Sequence, residues 1–213
     1  MNEHWLRRVS GARERGRWAG PSCALTFDDG PDPLYTPQVL DELARLGAVA
    51  TFFVVGAKVQ RHPELVRRML AEGHRVGSHS QTHRTPWDAP GRLIAADYAA
   101  GRRALERVTG TSHRLFRPPY GWLSLRTACW IRANAPNAWI WSVDPDDWRP
   151  EATTEAIART SERLGPGDVM LLHDGVEGSA SEVGQDRRQT VAAVARIVEA
   201  ARSRGLSFVT LPA

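Results

Sequence analysis

The sequence has only two cysteines and a single lysine, and it contains no long apolar run. Cys23 and Cys129 are too few for a disulfide framework or a cysteine-built zinc site, so both are expected to be buried thiols. No segment approaches the roughly 20 consecutive apolar residues of a membrane-spanning helix. We therefore predict neither a disulfide scaffold nor a membrane span.

The positive charge of the chain comes almost entirely from arginine. Lys58 is the only lysine, and the net charge is +4. The 24 acidic residues are interspersed with the basic ones, and no block of like charge exceeds a few residues. Because net charge alone is a weak indicator of nucleic-acid binding, we predict no nucleic-acid partner.

The N-terminal residues 1–20 carry arginines but lack the apolar stretch of about 7 to 15 residues found in a secretory signal. Their small apolar content predicts a solvated, partly disordered arm over residues 1–20. A single domain is expected over residues 21–213. Without an export signal, the protein is expected in the cytoplasm.

Short apolar runs rich in β-branched and aromatic residues alternate with longer helical patterns, which predicts an α/β fold of parallel strands joined by helices. In a barrel of such units the carboxyl ends of the strands open on one face, so polar residues that follow different strands should converge there. The predicted strands are residues 23–27, 50–55, 74–78, 114–116, 138–143, 169–173 and 208–211. The predicted helices are residues 36–46, 63–72, 88–108, 124–133, 151–164 and 187–203.

Two adjacent carboxylates, Asp28 and Asp29, follow the first predicted strand. Neighbouring ionised carboxylates repel each other, so a cation or an arginine is expected beside them. His79 and His83 supply two imidazoles after the third strand, and one carboxylate with two imidazoles suits Zn²⁺ or a similar divalent ion. We predict Asp29, His79 and His83 as metal ligands. The alternative for the two histidines is an ordinary surface pair.

A bound metal lowers the pKa of its water to about 7, but amide hydrolysis still needs a base and an acid. Asp28 is predicted as the base and His173, at the end of the sixth strand, as the acid. Arg117 is predicted to pair with Asp28, and Asp144 with the imidazole of His173. Taken alone, Arg117 and Asp144 are also consistent with ordinary ion-pair residues.

Three further segments contribute candidate contacts on the same face. The stiff Pro118-Pro119 segment is predicted to hold the backbone N–H of Tyr120 toward a developing oxyanion. Trp87 and Trp122 are predicted to stack on sugar rings, although a loop tryptophan can equally be a packing anchor.

Five segments occur in the order and spacing that identify the sequence as similar to the polysaccharide deacetylase family, also called the NodB-homology family or carbohydrate esterase family four. The match runs from about Cys23 to Leu211. The resemblance implies a distorted (β/α) barrel of seven or eight strands with the active site at their carboxyl ends. The segments are residues 26–31 (TFDDGP), 79–83 (HSQTH), 117–121 (RPPYG), 144–148 (DPDDW) and 171–174 (LLHD).

The resemblance also implies metal-assisted removal of acetyl groups from N-acetylated sugars. Zn²⁺ is the expected metal, with Co²⁺, Ni²⁺ and Mn²⁺ as alternatives. The resemblance assigns the base, acid and ligand roles to the residues named above, and it implies that Tyr120 stabilises the oxyanion. Trp148 and Leu171 are implied, by the resemblance alone, to form the pocket for the acetyl methyl group.

We therefore expect a cytoplasmic, metal-dependent N-deacetylase whose partner is a soluble N-acetylated saccharide or a small amino-sugar metabolite. One alternative is a peptidoglycan or chitin deacetylase of the cell envelope. The other is a catalytically silent carbohydrate-binding barrel, which the intact motifs disfavour.

Overall fold

The computed structural model describes residues 3–177 and 186–212. Within these ranges the strands are β1 (Ser22–Asp28), β2 (Thr51–Val54), β3 (Arg75–Ser78), β4 (Leu115–Phe116), β5 (Asn137–Ala138), β6 (Val169–His173) and β7 (Ser207–Phe208). The helices there are α1 (Glu3–Ser10), α2 (Tyr35–Leu46), α3 (Gly56–Arg61), α4 (Pro63–Ala71), α5 (Gly91–Thr109), α6 (Leu125–Asn134), α7 (Thr154–Thr160) and α8 (Arg188–Ser203).

The strands form a parallel sheet that curls into a distorted barrel. Their order is β5-β4-β3-β2-β1-β6, and β7 pairs with β1. Beyond β5, Val143 forms a parallel bridge with Met170 of β6, so the two ends of the sheet approach each other. The amide of Leu171 strengthens this closure by donating to the carbonyl of Val143 at 2.9 Å. The predicted α/β barrel is confirmed.

The alternation of side chains along β1 places the first carboxylate inside the barrel. Successive side chains of a strand point to opposite faces, and β1 is buried on both. Leu25 and Phe27 belong to the cluster between the sheet and the outer helices, whereas Ala24 belongs to the interior cluster. The next interior positions are Thr26 and Asp28, so the final residue of β1 enters the mouth of the barrel.

The predicted strands and helices are present, but several boundaries differ, and the helices α1 and α3 were not predicted. Strand β5 ends at Ala138 rather than at residue 143, because the chain then leaves β4 and crosses toward β6. Helix α3 (Gly56–Arg61) was not predicted, since its six residues are too few for a helical repeat to stand out. It follows β2 directly and leads into α4.

The expectation of a disordered N-terminal arm is wrong for the residues that the structure describes. In α1, Leu6 is buried in a cluster that includes Ile131 of α6. Farther along, Arg15 lies 2.8 Å from the carboxylate of Asp168. An isolated eight-residue helix is marginal in water, so packing against α6 is what stabilises α1.

Two further observations concern the cysteines and the apolar composition of the helices. Cys23 is buried as predicted, whereas Cys129 is exposed, since it lies on the outer side of α6. Across residues 3–177 and 186–212, no helix combines the length and the apolar composition that crossing a membrane requires.

Candidate active site

A cavity of about 580 Å³ opens at the carboxyl ends of the barrel strands. Residues that follow β1, β3, β4 and β6 meet in it, as the sequence predicted. Their convergence is therefore observed, while their chemical roles stay predictions. The predicted residues that line the cavity are Asp28, Asp29, His79, His83, Tyr120, Trp122, Asp144, Trp148, Leu171 and His173.

Asp29, His79 and His83 surround one point on the wall of this cavity. Asp29 Oδ1 lies 3.5 Å from His79 Nε2 and 3.1 Å from His83 Nε2, and the two Nε2 atoms are 3.2 Å apart. All three side chains are buried. Among the described residues, Asp29 Oδ1 has no hydrogen-bond donor. One atom from each side chain is thus available to a shared ion.

The hydrogen bonding of His79 supports this interpretation. Its Nδ1 lies 2.8 Å from the carbonyl oxygen of Arg117, which can only accept, so Nδ1 carries the proton and Nε2 presents a lone pair. Burial, with His83 nearby, lowers the pKa of His79 to about 4, so the imidazole is neutral at pH 7. A lone pair facing a carboxylate at this distance is unfavourable without a cation between them. The three residues therefore fit a divalent metal ion.

The backbone around the ligands adopts conformations that side chains rarely tolerate. Asp29 and His83 have φ values of 71° and 53°, in the left-handed region. Each such residue costs on the order of 1–2 kcal/mol unless the surroundings enforce it. The buried Lys58 contributes to that enforcement, because its Nζ donates to the carbonyl of Asp29 at 2.8 Å. Sequence reasoning noted Lys58 only as the single lysine.

Asp28 is held by Arg117 inside the barrel, which confirms the predicted pairing. The Nη1 of Arg117 donates to Asp28 Oδ1 at 2.7 Å and to the hydroxyl of Thr26 at 2.8 Å. Its Nη2 donates to the carbonyl of Ile140 at 3.0 Å, and the guanidinium is fully buried. The other carboxylate oxygen of Asp28 lies 3.6 Å from His79 Nε2. One oxygen of Asp28 is therefore anchored, and the other faces the ligand group.

His173 faces the site from β6, but its partner differs from the prediction. Its Nδ1 lies 2.7 Å from Asp147 Oδ1, and its amide donates to Asp147 Oδ2 at 2.9 Å. Asp144 lines the cavity instead, and its Oδ1 accepts from the amide of Asp146 at 2.8 Å. The prediction that Asp144 pairs with His173 is therefore wrong, because Asp144 caps the turn that carries Asp147 back toward the imidazole.

A comparison with known proteins identifies the family of the chain. Residues 16–135 match the family model described as polysaccharide deacetylase. The chain belongs to the polysaccharide deacetylase family. The resemblance inferred from the five motifs is thereby confirmed.

Curated members of the polysaccharide deacetylase family are similar to the chain over most of its length. A peptidoglycan-N-acetylglucosamine deacetylase of Bacillus cereus is 38% identical over 192 residues, covering 88% of this chain and 85% of that protein. A chitooligosaccharide deacetylase of Sinorhizobium fredii is 39% identical over 205 residues, covering 93% and 94%. Among solved structures, a family 4 acetyl xylan esterase from Clostridium thermocellum in complex with a cobalt ion superposes with a TM-score of 0.76. It is 32% identical, with 89% of this chain and 87% of that chain covered.

The remaining predicted substrate contacts of this family member divide into two groups. Trp148 and Leu171 line the cavity, and the ring of Tyr120 lies 4.5 Å from that of His83. Pro118 and Trp87 do not line it, and their prediction as substrate-binding residues stays a prediction. Pro118 is buried, and the ring of Trp87 lies 5.6 Å from that of Trp122, which does line the cavity.

Asp147 is one residue of the site that sequence reasoning missed. The motif at residues 144–148 contains three aspartates, and a linear pattern cannot show which of them faces β6. Asp146 adopts a left-handed φ of 55°, which reverses the chain before Asp147. The hydroxyl of Thr190 on α8 then donates to Asp147 at 2.8 Å. This contact between Thr190 and Asp147, more than 40 residues apart in the sequence, orients Asp147 as the partner of His173.

The environment of His173 sets its charge. Burial alone would lower the pKa of His173, but the carboxylate and hydrogen bond of Asp147, with smaller contributions from Asp29 and Asp28, raise it to about 9. The imidazole is thus protonated at pH 7, as an acid must be. This interaction stabilises the fold fully below the ordinary pKa of 6.5, and that stabilisation is lost as the pH rises through about 9.

Replacing Asp147 by asparagine should shift the pH dependence of activity. Without the carboxylate the pKa of His173 falls, so the protonated acid is lost at a lower pH. We expect the alkaline limb of the kcat/KM profile to move to lower pH. Asp146→Asn is the control, since Asp146 is half exposed and pairs with Arg149. An alkaline limb that stays in place in Asp147→Asn would contradict the assignment.

Proposed function

We propose that this protein is a metal-dependent N-deacetylase that releases acetate from N-acetylated amino sugars in a saccharide chain. One observation carries the proposal: the Asp29, His79 and His83 group shares one cavity with a carboxylate anchored by arginine, Asp28, and with the imidazole of His173. Hydrolysis of an amide needs a proton acceptor on one side and a proton donor on the other. The cavity supplies both.

The donor set of the ligand group favours Zn²⁺. One carboxylate oxygen and two imidazole nitrogens are ligands of borderline softness, and three protein ligands leave positions open for water and substrate. When bound, such an ion supplies Lewis-acid polarisation of the carbonyl and lowers the pKa of water. The acetyl xylan esterase is in complex with a cobalt ion, which supports the binding of a metal by this chain without deciding its identity.

The protein residues divide the proton transfers between them. Asp28 accepts a proton at the oxygen that faces the ligand group, since Arg117 occupies its other oxygen. His173 donates a proton to the departing amine nitrogen and is kept oriented by Asp147. The backbone N–H of Tyr120 is proposed to stabilise the developing oxyanion. Trp148 and Leu171 are proposed to enclose the acetyl methyl group.

The names of the relatives support a saccharide as the substrate. They act on chitooligosaccharide or on peptidoglycan N-acetylglucosamine, by the names that they carry. We propose an N-acetylated oligosaccharide of one of these two types, in preference to the small metabolite expected from the sequence. The cytoplasmic location expected from the sequence remains a separate proposal, which cell fractionation tests.

Removal and return of metal tests the proposed activity. We expect chelator-treated protein to release no acetate from N-acetylglucosamine oligomers or peptidoglycan fragments, and added Zn²⁺ or Co²⁺ to restore release. His83→Ala should bind less than one equivalent of zinc and lose activity. His62→Ala is the matched control, since that histidine immediately precedes α4 and does not line the cavity. Full activity after exhaustive chelation would refute metal dependence.

A further inference from the structure

A cavity of about 520 Å³ lies at the amino ends of the barrel strands. Gly16 lines it, and the amide of Gly16 donates to the carbonyl of Gly167 at 2.8 Å, two residues before β6 begins. The residues on either side of Leu211 line it as well, and the amide of Leu211 donates to the hydroxyl of Thr51, the first residue of β2, at 3.0 Å. No described residue lines both this cavity and the catalytic one, so the two lie at opposite ends of the barrel.

Three arginines and two tryptophans line this cavity, and no acidic residue does so in the part of the chain that the structure describes. We call it the basic cavity, after Arg13, Arg15 and Arg17, which line it with Trp18 and Trp139. Arg15 is compensated by Asp168, 2.8 Å away. Within residues 3–177 and 186–212, neither Arg13 nor Arg17 forms an ion pair, and Arg13 reaches only the amide oxygen of Asn137, at 3.3 Å. Two of the three positive charges are therefore uncompensated.

The segment that carries the arginines is fixed against the barrel. Arg13 forms a parallel bridge with Trp139. The ring of Trp18 stacks on that of Trp139, with the centroids 6.4 Å apart and the planes at 10°. A Cβ atom added at Gly16 would overlap the ring of Trp18, so glycine is what lets that ring lie across the chain. The arginines are thus presented by an ordered backbone.

Trp139 contributes a buried donor to the same cavity. Its side chain is only 1% exposed, and its Nε1 has no hydrogen-bond acceptor among the described residues. The guanidinium of Arg13 lies 5.1 Å from the centre of the Trp139 ring. Buried donors are nearly always paired, so a donor without an acceptor beside an uncompensated cation indicates a place for an anionic group. Both groups lack what the oxygens of such a group supply.

We propose that the basic cavity binds a phosphate monoester of a small cyclic molecule. This inference goes beyond the proposed function and does not depend on it. A guanidinium binds phosphate oxygens through two parallel hydrogen bonds. A phosphate monoester carries about 1.5 to 2 negative charges at pH 7, which matches the two uncompensated arginines better than a single carboxylate does. The apolar surfaces of Trp18 and Pro212 suit a ring attached to the phosphate, and the volume is typical of small-molecule sites.

Calorimetry on the full chain, with and without added Zn²⁺, tests the proposal. The probes are AMP and glucose 6-phosphate, each compared with its unphosphorylated counterpart, adenosine or glucose. We expect at least one ester to bind more tightly than its counterpart by about tenfold or more, and the tighter ester shows whether the attached ring is a base or a sugar. Arg17→Glu should weaken that binding by roughly 10- to 100-fold, the usual contribution of hydrogen bonds to a charged group.

Arg67→Glu is the matched control, since it changes the net charge equally and Arg67 is an exposed residue of α4 that lines neither cavity. Equal weakening in the two variants would show that net charge alone attracts the esters, and the site would be wrong. Affinities no greater than those of adenosine and glucose would also overturn it. Binding that requires Zn²⁺ and is unchanged in Arg17→Glu would place the ester at the metal-ligand group and refute the basic cavity as its site.

A second measurement needs no variant of the arginines. In nuclear magnetic resonance spectra of the unaltered chain, the indole N–H signals of Trp18 and Trp139 should shift as the tighter ester is added. Trp18→Phe and Trp139→Phe assign the two signals. Signals that stay in place at saturation would overturn the proposal even if Arg17→Glu does not fold.

Discussion

Replacing Asp28 by asparagine should lower kcat/KM for acetate release by about 10² to 10⁴-fold, the usual contribution of a general base, while zinc stays bound. Asparagine keeps the shape of the side chain and an oxygen that can accept from Arg117. It removes the oxygen charge that faces the ligand group. The proposed ligands are untouched, so only proton transfer is lost.

The measurement pairs steady-state kinetics with metal analysis of the same sample. Asp41→Asn is the control, because Asp41 is an exposed carboxylate of α2 that pairs with Arg68 and does not line the cavity. The control should retain wild-type kinetics. Loss of zinc from Asp28→Asn would show that Asp28 holds the metal, and near-normal turnover would remove it from the chemistry.

Replacing Arg117 by methionine should destabilise the fold by about 3–5 kcal/mol, the usual cost of leaving one partner of a buried ion pair alone. The guanidinium is fully buried, and Asp28 is only 2% exposed. Methionine fills much of the space but leaves the carboxylate without its cation. The carbonyls of Trp139 and Ile140 lose their donors as well. Denaturant unfolding measures the change.

Two comparisons make this stability prediction specific. Arg196→Met removes a similar ion pair, with Glu155 at 2.8 Å, but both side chains are more than half exposed. Such a surface pair contributes only about 0–1 kcal/mol. In the double variant Asp28→Asn with Arg117→Met, the unpaired charge is gone, so part of the lost stability should return. Strictly additive losses would show that the pair is not coupled.

The metal-ligand group could be predicted because its members are set by local chain geometry. Asp28 and Asp29 end a strand, so alternation sends one side chain into the barrel mouth and the turn carries the next beside it. His79 and His83 belong to one short loop that follows β3, and their Nε2 atoms lie 3.2 Å apart. Within each pair, neighbours in the sequence are also neighbours in the site.

Other contacts depended on segments far apart in the chain. Asp147 rather than Asp144 reaches His173 because a turn and Thr190 of α8 orient it. Trp87 does not line the catalytic cavity, and its ring packs against that of Trp122, which does. Motif spacing carries no information about either contact, since each depends on how separate loops pack.

By itself, the sequence determined the order of strands and helices, the family, and the residue types that can bind a metal and move protons. These follow from short-range periodicity and from side-chain chemistry. Only the tertiary structure decided which aspartate orients the acid, that α1 packs on α6, and that a second cavity forms at the amino ends of the strands. The physical reason is that hydrogen-bond partners and cavities arise from the packing of distant segments, which local preferences do not specify.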